Sequence, residues 1–162
     1  MSKRLHGGYT SHRGSPKRIL GHGSGWCVNG PALLYSGEIV TAAVRNPFEQ
    51  RGSTGKVRCV VLLERLGASY RCMGLTAKSS FADGSPRTPV PNPTTVGLRG
   101  PGWLWGGRPI SVDVLSIEDH VGTVDSALAF EVARAAGLSL DMQDELLNVA
   151  LQHHGHFEVA WP

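Results

Sequence analysis

From Gly37 onward the chain alternates short apolar runs with turn residues, and the period of those runs separates strands from helices. The run Glu38-Ile39-Val40-Thr41-Ala42-Ala43-Val44 reads as a strand, and Asn46-Pro47 ends it. A polar, glycine-containing loop follows from Phe48 to Lys56. Val57 to Leu63 is β-branched and almost wholly apolar, as expected of a strand covered on both faces. Leu66-Gly67-Ala68 is read as a turn, and Ser69 to Leu75 as the next strand. Residues 79–95 contain Pro86, Pro89, Pro91, Pro93 and the pair Asp83-Gly84, so a loop is expected, with no more than a short edge strand near Val90. Val96 to Leu104 is read as another short strand, interrupted at Gly100-Pro101-Gly102. Ile110 to Ile117 alternates apolar and polar residues and is read as one strand with a wet face.

After residue 124 the period changes to that of helices. Asp125-Ser126 offers an N-cap, Leu128, Val132 and Ala135 then fall on one stripe, and Gly137 stops the helix. Ser139 or Asp141 starts a second helix, with Leu146, Leu147 and Ala150 expected inward and the end set before Gly155. Several short strands followed by helices predict an α+β domain built on a small, strongly bent sheet.

Residues 1–36 lack such a pattern. They are rich in Gly, Ser and His and are expected to form a basic, largely disordered tail before a folded domain at 37–162. Trp26, Val28, Leu33, Leu34 and Tyr35 are the residues suited to tack the end of this tail onto the domain.

Charge is distributed unevenly. Residues 1–36 carry five Lys or Arg and no acid, and 37–110 carry ten against four. Residues 111–162 reverse this, with Arg134 against nine acids. A basic front and middle suit a polyanion, and an acidic end suits a basic protein segment; solvated faces are the plainer reading of both. Neither a membrane-spanning apolar run nor a secretory signal is seen, and three cysteines without CxxC spacing argue against a disulfide framework. A cytoplasmic protein is the expectation.

The chain has no dinucleotide fingerprint, Walker loop, HExxH or GxSxG sequence. His153-His154-Gly155-His156 invites a metal, but no second ligand cluster stands at a fixed spacing, and histidines also suit a helix C-terminus. No metal or other cofactor is expected. The remaining constellation is basic and hydroxyl-rich: Arg51, Ser53 and Lys56 before the Val57 strand, Arg58 within it, then Thr76, Lys78 and Ser79 after the next strand. An arginine in a buried strand is costly unless its guanidinium reaches a partner or a site at the strand end. Its fork of donors matches phosphate oxygens. RNA cleavage requires no metal when the 2′-hydroxyl attacks its own phosphate, provided donors stabilise the pentavalent charge and protons are moved. Arg58 and Thr76 are the candidates for that work. The alternative is that Arg58 pairs with Glu38 or Glu64 and Thr76 merely ends a strand.

Gly37-Glu38-Ile39-Val40, Asn46-Pro47-Phe48 and Gly55-Lys56-Val57-Arg58-Cys59-Val60-Val61-Leu62 together resemble the opening of the MazF/PemK toxins. Met73-Gly74-Leu75-Thr76-Ala77-Lys78 is similar to the second site segment of that family, and 103–124 to its later strand and helix entry. The likeness covers about 37–138. It implies an SH3-like, strongly bent antiparallel β-barrel with C-terminal helices, a homodimer, and metal-independent endoribonuclease activity on single-stranded RNA restrained by a cognate antitoxin. The family's catalytic Arg and Thr fall on Arg58 and Thr76, and Arg51, Ser53, Lys56, Lys78 and Ser79 are placed to bind RNA. Cys59 stands where the family usually has proline, and Ser53 where some members have an acid. A non-catalytic barrel that binds nucleic acid or a regulatory protein is the other reading.

Overall fold

The computed structural model describes residues 34–44, 55–106 and 108–155. Within them lie β1 (Glu38–Val44), β2 (Lys56–Leu66), β3 (Ser69–Thr76), β4 (Trp103–Leu104), β5 (Ile110–Asp113) and β6 (Ile117–Thr123), followed by α1 (Ser126–Ala136) and α2 (Leu140–His154). The fold is α+β, with one six-stranded antiparallel sheet ordered β4-β3-β2-β1-β6 and with β5 also on β3. The tail before Leu34, the loop carrying Arg51 and Ser53, and His156 lie outside the described residues.

The link from β5 to β6 reveals how far the sheet bends. Asp113 pairs with Ser69, which pairs with Leu66; Ile117 pairs with Ala42, which pairs with Arg58. These are opposite corners of the sheet, on the order of 30 Å apart if it were flat, given strand spacings of about 4.8 Å and rises of about 3.3 Å. Yet only the 3₁₀ turn Val114–Ser116 connects them, a span of at most about 15 Å. The sheet must therefore coil until its edges approach. Register shifts at Ile39/Val40, Thr41/Ala42 and Leu62/Glu64 supply local bends. No ladder joins β5 to β6 among the described residues, so the sheet is curled and not closed.

Coiling gives the sheet two apolar faces. The concave face gathers Val40, Ala42, Val44, Val60, Leu62, Tyr70, Cys72, Val112 and Ile117. Leu34, just ahead of β1, joins this cluster, and its carbonyl accepts the Tyr70 hydroxyl at 3.0 Å, whereas Tyr35 is exposed. On the convex face Ile39, Val61, Leu63 and Met73 meet the two helices through Leu128, Val132, Leu146 and Ala150. Val60 to Leu63 are all buried, as a strand covered on both sides requires, but the expected covering from Val57 fails at the start of β2: Val57 is 53% exposed and Arg58 and Cys59 are half-buried, because β3 pairs with β2 only from Val60 onward.

Three further expectations need correction. Ile110 to Ile117 is not one strand: Asp113 accepts the Leu115 N–H at 2.8 Å and caps a 3₁₀ turn, which releases the chain to cross to the far edge as β6. Polar Glu118-Asp119-His120 conceals that edge strand from a reading by apolar period. Of Val96 to Leu104 only Trp103–Leu104 is a strand, because Val96, Gly97 and Leu98 turn on bonds to Asn92, Thr94 and Pro93. Leu147 is exposed instead of inward, and Leu146 and Ala150 carry the buried stripe. The caps agree with expectation: Asp125 and Ser139 start the helices, and Gly137 ends α1 in the left-handed region.

Candidate nucleic-acid interface

Alternation along a strand decides where the two central residues point. Val60 and Leu62 face the concave side, so Arg58 does too; Tyr70 and Cys72 do likewise on β3, which sets Gly74 and Thr76 on that face. Val60 pairs with Gly74 at the end of the β2–β3 ladder, with Arg58 two residues before it on β2 and Thr76 two residues after it on β3. Both are half-buried, at the rim where β2 and β3 part. The structure thus brings the two candidates to one end of one face.

Arg58 lies against an aromatic platform. Its guanidinium carbon sits over the Trp105 ring, 4.9 Å from the centroid. The ring is seated on Gly74: a Cβ there would approach Trp105 Cε3 to 2.2 Å. The Trp105 N–H donates to the Gly74 carbonyl at 2.8 Å, and its own carbonyl accepts from the Arg87 guanidinium. A cation held over an indole contributes roughly 0.5–2 kcal/mol, more as water is excluded. Glu64 pairs with Arg71 at 3.2 Å; Glu38 accepts the Tyr35 N–H at 2.6 Å and lies 3.5 Å from His120 Nε2.

The Thr76 hydroxyl oxygen accepts the Lys78 N–H at 3.2 Å. A hydroxyl has one proton and two lone pairs, so accepting there leaves its O–H available to donate elsewhere. Lys56, Lys78 and Ser79 are exposed around this rim. Ser79 begins a tight hairpin, its carbonyl accepting from Arg87 N–H at 2.9 Å, with Phe81 N–H bonded to Ser85 at 2.8 Å and Asp83 accepting from Ser85. Arg87 stacks over Phe81 at 4.3 Å, and desolvation lowers its guanidinium from the ordinary value while leaving it a cation.

Trp105, Arg87 and Phe81 were absent from the sequence-based site. One signal existed: a glycine inside an apolar strand, Gly74, marks close approach by another group. Which group approaches depends on how the chain returns through 77–102, and no local pattern encodes that.

The described acidic residues of the final third lie on β5, β6 and the helices, and Asp119 on β6 pairs with Thr41, which pairs with Cys59. His153 and His154 occupy the last turn of α2, and His154 Nε2 is 2.8 Å from the Thr123 carbonyl. Among the described residues no three His, Cys, Asp or Glu side chains gather as metal ligands. No described helix is long and apolar enough to cross a membrane. No protein-family model matches the chain, and a search of curated proteins finds no match either.

Proposed function

We propose that this protein is a metal-independent endoribonuclease of the MazF/PemK toxin type, acting on single-stranded RNA in the cytosol. The observation that carries the reading is the placement of Arg58 and Thr76 on one concave face, at the adjoining ends of two paired strands. In this reading the curled sheet is an SH3-like barrel, and the active form is a homodimer held in check by an antitoxin.

The chemistry follows from donors of two kinds. The 2′-oxygen attacks the adjacent phosphorus, the bond to O5′ breaks, and a 2′,3′-cyclic phosphate and a 5′-hydroxyl result. Arg58 holds the scissile phosphate and assists the proton's passage from the 2′-hydroxyl towards the leaving oxygen. Thr76, with its oxygen anchored by Lys78 N–H, donates to the phosphorane oxygens. Lys56, Lys78 and Ser79, with Arg51 and Ser53 from the loop, hold flanking phosphates by charge and hydrogen bonds that carry no base preference.

The test is incubation of end-labelled single-stranded RNA with purified protein in EDTA, followed by analysis of the fragment ends. Cyclic phosphate and 5′-hydroxyl ends support the proposal. Salt-sensitive binding with no fragments would instead favour the non-cleaving barrel.

A further inference from the structure

We propose that Trp105 is the positioning residue of this site: its ring, seated on Gly74, holds the Arg58 guanidinium at the rim where RNA would be cut. The proposal rests on the nuclease reading for its consequence, and on geometry for its substance. A long arginine side chain has many rotamers, and a catalytic donor is effective only when its orientation is settled before the substrate arrives. Trp105 removes that freedom in a specific way. Its N–H bonds to Gly74, its carbonyl is bonded by Arg87, and its ring occupies the space a β3 side chain would otherwise fill. The platform is therefore fastened on both sides of its backbone and beneath its ring. The Arg58 guanidinium lies over it.

Glycine at position 74 is part of the same device. A methyl group there would stand 2.2 Å from Cε3 and 3.1 Å from Cβ of Trp105, so the indole must leave its seat. Gly74 is in a strand paired with Val60, where a side chain would ordinarily add packing. Its absence is explained by the ring it carries.

Two measurements on the full chain test this. The first is single-turnover RNA cleavage by Trp105→Leu, Trp105→Phe and Gly74→Ala, with folding checked by circular dichroism. Trp105→Leu and Gly74→Ala are expected to lower kcat by about ten- to thirtyfold, the size of one cation–ring contact in a partly dry site, with KM changed less than about threefold. Trp105→Phe keeps a ring and is expected to recover most of the loss. The second is the NMR shift of the Arg58 side-chain protons, which lie in the ring current of the indole and move downfield when it is removed. A Leu variant that cleaves like the wild type, a loss confined to KM, or no rescue by Phe would overturn the proposal. A wild-type chain that cuts no RNA would overturn the nuclease reading instead, and the Arg58 shifts then decide alone: unchanged in Trp105→Leu, they refute the positioning role.

Discussion

Replacing Asp125 with alanine removes two hydrogen bonds, one that caps α1 and one that ties its start to the loop at Asn92. One carboxylate oxygen accepts the Leu128 N–H at 2.8 Å and caps the helix; the other accepts the Asn92 side-chain amide at 3.0 Å. The residue is only 7% exposed, so little water replaces either partner. Loss of an N-cap costs about 1 kcal/mol, and loss of a bond to a charged acceptor about 1.5 kcal/mol at the low end suited to exposed Asn92. Asp125→Ala should therefore lose roughly 2–3 kcal/mol, and Asn92→Ala about 1.5 kcal/mol. Because the Asn92 contribution runs through Asp125, the double variant should be scarcely less stable than Asp125→Ala alone. Urea unfolding at neutral pH measures this: with a slope of about 1.5–2 kcal/mol/M, Asp125→Ala lowers the midpoint by roughly 1–2 M. Asp125→Asn keeps an oxygen for Leu128 and should cost less. If the two alanine substitutions add in full, the coupling argued from the geometry is wrong.

Two further outcomes follow from backbone crowding and from burial. Gly97 has φ +90° and a Cβ there would lie 2.2 Å from the Val121 carbonyl, so Gly97→Ala should destabilise by more than about 2 kcal/mol in the same urea assay, and a neutral effect would contradict the packing of this loop on β6. Burial pushes the Cys72 thiol from 9.0 up to about 12. The unfolded chain thus loses this proton first, so the contribution is intact below pH about 9 and is lost as pH rises towards about 12. The stability gap between wild type and Cys72→Ala should narrow across that window, and a constant gap would refute the assignment.

How much was legible in the sequence depended on whether the signal was local. Glu38–Val44, the caps Asp125 and Ser139, and the stop at Gly137 are set by neighbours in sequence, and the structure places them as read. The apolar run Val57–Leu63 announced a strand covered on both faces, which holds for Val60–Leu63 and fails at Val57, beyond the end of the β2–β3 ladder. β6 was missed because Glu118-Asp119-His120 gives an edge strand no apolar alternation, and its place is decided by pairing with β1. Leu147 was misassigned because Leu146 and Leu147 are equally apolar, and only the packing of α2 on the sheet and α1, with Leu146 in the core beside Gly37, separates them. For the site, the residue types of Arg58 and Thr76 suggested their chemistry, and their approach needed the β2–β3 register. Trp105 reaches Gly74 only through the return of a long, proline-rich loop, which leaves no trace in local composition.

The most direct test of the central claim is single-turnover cleavage of labelled single-stranded RNA by Arg58→Ala in EDTA, beside wild type. The account expects rapid cutting by the wild type and a loss of at least about a hundredfold in the variant, with the urea midpoint showing it still folded. Cutting by Arg58→Ala at the wild-type rate would contradict it.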